Sequence, residues 1–305
     1  MKLNLIYDRI RWEEKEILKS CSKHNVDYTQ IDAKSIAAKL GGTDSFLRNN
    51  ETSNDNSDIF NNSINLQRCL SHFRGYHITC YIENQGGLVI NNSNTMNICG
   101  NKYLTSSLLR SNNISIPKTI CAFSFDSAVS AMNELNYPLV IKPVIGSWGR
   151  GIELIQNEND GMNALNARKE RNQLYDNIYY LQEFIGNKLT SNGDILNSRD
   201  LRILVVGDKP IVAYYRYSKS GQWKNNVALG SITEHCEITK EMEELTERVI
   251  NTIGEGIFAI DLLEIQNGLV VLELNNNMEF KGAQTTTSVN IADEIVKYLI
   301  KKNNS

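Results

Sequence analysis

The sequence predicts an α/β protein assembled from α+β lobes, and three stretches carry that reading. Residues 2–31 run strand, helix, strand, the opening unit of an open α/β lobe. Mid-chain, the aliphatic segment LVIKPV leads directly into a glycine-rich loop, GSWGRGIELI. Residues 256–277 hold two apolar runs, FAIDLLEI and LVVLEL, flanking Asn267-Gly268, a dipeptide typical of a tight hairpin turn.

Taken in order, KLNLIY (residues 2–7) alternates as a strand and stops at Asp8. Ile17, Leu18 and Cys21 then share a helical face over residues 13–24, and residues 26–31 return as a second strand. The intervening loop, DRIRWEEK, is dense in charge and lies at a strand's carboxyl end, where such lobes bind ligands. Residues 41–63 are rich in Asn, Ser, Asp and Gly and are expected to form an exposed loop. Order returns with INLQRC; an apolar helical pattern covers residues 73–83, Gly86-Gly87 ends it, and LVINN makes a short strand. The first lobe is expected to span residues 1–92.

A helix beginning at Thr95 carries NKYLTSSLLRSNN, Ile116-Pro117 opens an extended segment, and residues 125–135 are helical up to Pro138. LVIKPV is a strand whose Lys142 precedes Gly146, Gly149 and Gly151. Glycines let backbone N–H groups approach an anion and the lysine adds a point charge, as in a phosphate cradle. Neither GxxxxGK[ST] nor GxGxxG is present, and a purely structural glycine hairpin is the competing reading. Residues 160–177 are polar, YYLQEFI (residues 179–185) is a strand, and residues 186–198 are a polar connection. RDLRILVVGDKPIVAYYRYS is a hairpin turning at Gly207-Asp208, with Arg199, Asp200 and Arg202 at one mouth and Arg216 returning beside them. Arginine forks clamp carboxylates and phosphates, although surface charge is their default role. Residues 239–253 form an amphipathic helix with acids in its first turn, and the last helix covers residues 289–302. The central and C-terminal lobes are expected at residues 93–180 and 181–305.

The closing hairpin carries the chemistry. Glu273 and Asn275 stand two residues apart on one strand, so they project from one face, and the turn brings Asp261 beside them. Two carboxylates and an amide oxygen are hard ligands suited to Mg²⁺ or Mn²⁺ completed by phosphates and water. The alternative is isolated exposed acids, but three polar groups inside apolar strand runs need partners.

The composition suits a soluble globular protein: 305 residues, 41% hydrophobic, 22% charged, formal net charge −3. No basic excess argues for nucleic acid, and no run approaches a membrane span. The six cysteines, scattered and never in a CxxC pair, read as reduced thiols of a cytoplasmic protein. A homo-oligomer is expected.

With Lys102, IKPVIGSWGRG, YLQEFI, RDLR and the Asp261, Glu273, Asn275 set in this order, the chain resembles an ATP-grasp ligase. YDRIRWEEK, QRCLSHFRGYHIT, ICGNK and NNMEFKGAQTTTSVNIADEI place the resemblance in the RimK-like branch, near the amino-acid–carrier-protein ligases of the LysX/ArgX type. It implies three lobes, an N-terminal pre-ATP-grasp domain among them, with ATP between the central and C-terminal lobes. Lys102 and Lys142 would hold phosphates, with Gly146, Ser147, Trp148, Gly149, Arg150 and Gly151 closing over them. Gln182, Glu183, Phe184 and Ile185 would form the adenine hinge, and Asp200 would sit by the ribose. Arg202, with Lys142, would neutralise the transferring phosphoryl group, while Asp261, Glu273 and Asn275 would bind two Mg²⁺ ions. The implied reaction activates a carboxylate as an acyl phosphate and joins it to an amine. The carboxylate would belong to the C-terminal glutamate of a small acidic LysW-like carrier protein, and the amine to α-aminoadipate or glutamate. Arg9, Arg11, Arg74, Arg216 and Asn226 are candidates for gripping these substrates. A RimK-type protein glutamate ligase and a non-catalytic nucleotide-binding regulator are wider alternatives. Leu229 stands where many relatives place arginine, and the stretches at 41–63 and 186–198 look longer than usual.

Overall fold

The computed structural model describes residues 1–38, 40, 46–48, 57–146, 149–171, 177–185, 199–218 and 232–304, with only the backbone described at 46–48, 57 and 58. Ser147, Trp148, Asn226, Leu229, the connection at 186–198 and most of the 41–63 loop lie outside these residues.

The N-terminal lobe runs β1 (Lys2–Tyr7), α1 (Trp12–Lys23), β2 (Asp27–Asp32), β3 (Ile36–Ala38), β4 (Phe46–Arg48), α2 (Ser57–Asn61), β5 (Ile64–Gln67), α3 (His72–Asn84) and β6 (Leu88–Ile90). Strands β2-β1-β5-β6 form a parallel sheet, and β3-β4 a small ribbon. Two expectations are corrected here. The polar 41–63 stretch is not all loop: residues 46–48 pair as β4, and Phe60 in α2 is buried in the core. The segment INLQ, read only as a lead into a helix, is the strand β5 at the centre of the sheet. All four of its side chains are buried, and Asn65 is satisfied by Asn4 and by the carbonyls of Phe60, Ser63 and Leu88.

The middle of the chain runs α4 (Ser93–Gly100), α5 (Lys102–Ser111), β7 (Thr119–Ala122), α6 (Phe125–Leu135), β8 (Leu139–Lys142), β9 (Glu153–Ile155), α7 (Glu158–Arg171) and β10 (Tyr179–Glu183). The helix expected from Thr95 is broken into α4 and α5, because Asn101 leaves helical geometry and its side chain caps Tyr103 N and Leu104 N. The antiparallel sheet is β7-β10-β8-β9, so the boundary drawn at residue 180 falls inside one of its strands. Its core lies wholly within residues 122–181.

The last segment runs β11 (Arg199–Gly207), β12 (Lys209–Tyr217), β13 (Ile232–Cys236), α8 (Lys240–Ile253), β14 (Gly256–Ile265), β15 (Gly268–Asn275), α9 (Lys281–Gln284) and α10 (Ile291–Asn303), with sheet order β13-β12-β11-β14-β15. Both faces of this sheet are covered. Leu201, Ile203 and Val205 pack with α8, α4 and α5, while Leu204 and Val206 join a core shared with α10 and the N-terminal sheet. The closing hairpin forms, but its turn is Gln266-Asn267, one residue earlier than expected, with Gly268 at φ +118° opening β15.

Candidate active site

Strand alternation decides which side chains meet. One face of the C-terminal sheet collects Asp200, Arg202, Tyr214, Arg216, Asp261, Glu273 and Asn275, and register sets Arg202 opposite Asp261, Asp200 opposite Arg216, and Asp261 opposite Glu273. Arg202 forks onto Asp261, with Nε to Oδ1 at 2.5 Å and Nη2 to Oδ2 at 2.6 Å. Arg216 forks onto Asp200 at 2.7 Å for both bonds and reaches Asp261 Oδ2 at 3.2 Å. Asn275 Nδ2 donates to Asp261 Oδ2 at 3.2 Å. Burial alone would raise the Asp261 pKa, but the two guanidinium groups hold it well below the usual carboxylate range.

The central lobe supplies the lysines. Lys102, the first residue of α5, donates from Nζ to the Gly146 carbonyl at 3.0 Å and lies 3.1 Å from Glu273 Oε2, tying the glycine loop to β15. Lys142 ends β8, buried, and donates to Gln182 Oε1 at 2.6 Å. Gln182 is fixed in turn by donating to Thr119 Oγ1 at 2.9 Å and Tyr180 Oη at 3.2 Å. Burial pulls the Lys142 pKa down to about 8, partly offset by Glu273 and reinforced by Lys102. Gly149 and Gly151 both sit at φ +67°, a conformation that glycine adopts without the strain a side chain would bring.

A cavity of about 810 Å³ opens between the lobes. Lys102, Gly146, Arg202, Arg216, Glu273 and Asn275 line one part of it, and Arg11 and Trp12 line another. Of the remaining predicted residues, Gln182 holds Lys142, and the Glu183 carboxylate accepts the Lys118 backbone N–H at 2.6 Å. Phe184 N donates to the Pro138 carbonyl at 3.2 Å. Neither these residues nor Ile185 line the cavity; Arg9 is exposed and Arg74 pairs with Asp8 at 2.9 Å, both away from its lining. Arg11 is in the wall, with its guanidinium on Glu14, Glu279 and Asn277. Cys69 also lines the cavity, but burial pushes its thiol up to about 12, which leaves it protonated and unreactive.

Sequence reasoning missed Arg68, Glu14, Asn91, Asn277 and Lys281, which hold or form the cavity wall after Asn275. The polar run NNMEFKG directly after β15 signalled Asn277 and Lys281, and the stretches YDRIRWEEK and QRCLSHFRGYHIT contain Glu14 and Arg68 without marking them as partners.

The donor set fits a magnesium nucleotide. Asp261, Glu273 and Asn275 offer only hard oxygens, and among the described residues no three His, Cys, Asp or Glu side chains form a complete cage. Such a set suits Mg²⁺ when phosphate and water oxygens complete the octahedron. Lys102, Lys142, Arg202 and Arg216 outnumber Asp200, Asp261 and Glu273, leaving the surplus positive charge that polyphosphate matches.

Residues 3–98 match the LysX preATP-grasp domain and residues 99–299 the RimK-like ATP-grasp domain. The chain is 33% identical over 303 residues to the alpha-aminoadipate–LysW ligase LysX of Sulfurisphaera tokodaii, covering 99% of this chain and 98% of that protein. It is 31% identical over 305 residues to the glutamate–LysW ligase ArgX of Sulfolobus acidocaldarius, covering 100% and 99%. It is also 33% identical over 302 residues to the tetrahydromethanopterin:alpha-L-glutamate ligase of Methanocaldococcus jannaschii, covering 99% of each. The chain belongs to the RimK-like ATP-grasp family and is one of its carbon–nitrogen ligases, enzymes that use ATP and Mg²⁺.

Proposed function

We propose that this ligase joins the α-amino group of α-aminoadipate to the side-chain carboxylate of a C-terminal glutamate on a small acidic, LysW-like carrier protein. Glutamate is the alternative amine. The observation that carries the reading is the convergence of Lys102, Arg202, Arg216, Glu273 and Asn275 at one end of a cavity roomy enough for a second substrate. The full-length similarity to LysW ligases supplies the substrate class.

In the proposed reaction a carboxylate oxygen of the carrier attacks the γ-phosphorus of ATP, giving an acyl phosphate and ADP. The amine then attacks the acyl carbon, phosphate leaves, and the amine loses a proton. Lys102 and Lys142 neutralise phosphate oxygens, and Arg202 faces the charge that builds on the transferring group. Asp261, Glu273 and Asn275 would hold Mg²⁺, one ion or two, which supplies Lewis-acid charge to the phosphates. Gln182 keeps the Lys142 ammonium aimed, and Arg216 with Asp200 keeps Asp261 in place.

The test is phosphate release by the purified protein with MgATP and a carrier ending in glutamate, with the carrier weighed by mass spectrometry. A mass gain with α-aminoadipate supports the reading, and a gain with glutamate alone replaces the amine. One methylene separates the two, worth only ~1–3 kcal/mol of discrimination, so a gain with both makes the enzyme bifunctional. No gain with either overturns the carrier reading; turnover with a small carboxylic acid and glutamate would then follow the third relative.

A further inference from the structure

Arg68 follows β5, is 1% exposed, and plays no part in the chemistry described above. Its Nε donates to Glu14 Oε1 at 3.0 Å and its Nη2 to the Met278 carbonyl at 3.1 Å. Glu14 is itself fully buried and takes Arg11 as well, at 3.1 Å from Nε and 2.9 Å from Nη2. Arg11 continues to Glu279 Oε1 at 3.0 Å and Asn277 Oδ1 at 3.3 Å. Asn277 returns to the carbonyls of Cys69, at 2.8 Å, and Arg68, at 3.3 Å. Glu13 accepts the Lys281 backbone N–H at 3.2 Å. Residues 277, 278, 279 and 281 are thus each tied to the N-terminal lobe.

This segment leaves the sheet immediately after Asn275 and builds the wall of the cavity that Arg11 and Trp12 share, a lining to which Lys142 and Gln182 do not contribute. An apolar contact would hold two lobes together as well as a buried ion pair does, and at lower desolvation cost. What the directional arginine adds, with one arm on Glu14 and the other on the Met278 carbonyl, is a fixed position for the backbone it grips. We propose that Arg68 is a positioning residue: with Glu14 it sets the 276–282 wall on the amine-substrate side of the cavity, so that use of the amine, and not nucleotide binding, depends on it. The proposal rests on the ligase reading above.

The experiment compares full-length wild type with Arg68→Met, Arg68→Lys, Glu14→Gln and the Arg68→Met/Glu14→Gln double variant. The readouts are kcat, KM for each substrate, ADP affinity by calorimetry, the urea midpoint and amide exchange across 276–282. Arg68→Met is expected to raise the amino-acid KM or lower kcat by about tenfold or more, as expected for a lost buried charged hydrogen bond, with ADP affinity held within about twofold. Arg68→Lys, which keeps charge but not the fork, should fall between, and the double variant should be no worse than the poorer single one. Exchange at 276–282 should quicken selectively. Equal losses in ADP affinity and amine use, or a lowered urea midpoint with kcat and KM values both unchanged, would overturn the proposal and leave a plain lobe contact. Should Arg68→Met not fold, Arg68→Lys and Glu14→Gln carry the same test. A wild type with no ligase turnover would remove the ligase reading instead, while the exchange measurement would still report on the clasp.

Discussion

Lys142 is a charge kept at a cost. Burial brings its pKa down to about 8, against about 10.4 for an unfolded lysine. Between those values the unfolded state binds more protons, so this residue makes stability rise with pH through that window. A bound polyphosphate reverses the preference by favouring the ammonium form. Nucleotide binding near pH 8.5 should therefore take up a proton, visible by calorimetry in buffers of different ionisation enthalpy. ADP affinity should fall from pH 7 to pH 9, and in Lys142→Met both effects should vanish. Glu273 is the complementary test. It faces the cavity, pairs with Lys102 and stands opposite Asp261. Glu273→Ala should lower kcat by about 10²-fold or more, the scale of losing one preorganised charge at a phosphoryl-transfer site. Full activity with an unchanged Mg²⁺ requirement would remove it from the metal set.

At the scale of elements, close approaches matter more than propensities. Gly256 opens β14 where a Cβ would meet Asn91 Oδ1 at 2.5 Å. That Asn91 side chain accepts the Ile257 N–H at 2.7 Å and donates to the carbonyls of Ile257, at 2.7 Å, and Asn276, at 3.0 Å. Gly256→Ala should cost about 1–3 kcal/mol by overpacking, measured as a lowered urea midpoint with unchanged slope. Because Asn91 also holds Asn276, the cavity wall should loosen with it. The same contrast explains what was legible in the chain. Asp261, Glu273 and Asn275 could be placed together because a strand repeats every two residues, which turns spacing into geometry. Lys142 and its glycine loop were legible for a similar reason, since glycines at positive φ mark a local bend. Arg68 was not, because its partners Glu14 and Met278 lie 54 and 210 residues away and no local pattern links them. The strand β5 escaped because all four of its residues are buried, so Asn65 and Gln67 broke the apolar run without marking an exposed face.

At the scale of the molecule, the arrangement of cores separates the parts that hold the substrates. One core runs without a break from Leu3, Leu5 and Ile17 in the N-terminal lobe to Leu204, Ile257 and Val296 in the C-terminal lobe. A second joins α4 and α5 to the opposite face of the C-terminal sheet. The central sheet keeps its own core, from Ala122 to Leu181, which neither of the others enters. The links carrying site residues across that gap are polar: Lys102, which pairs with Glu273 on the C-terminal sheet, donates from Nζ to the Gly146 carbonyl and from its backbone N–H to the Val144 carbonyl. Without nucleotide, residues 119–183 should therefore unfold as a unit ahead of the remainder, giving two transitions by calorimetry. MgATP bound between Lys142 and the Asp261–Glu273 strand pair would couple the two parts. At a hundredfold excess over Kd it would stabilise the bound state by about 2.7 kcal/mol, and the lower transition should move toward the upper. Lys142→Met, which removes the central-lobe contact to phosphate, should keep the transitions apart at the same nucleotide concentration. A single transition without nucleotide would show that the Lys102 links already make the lobes one cooperative unit.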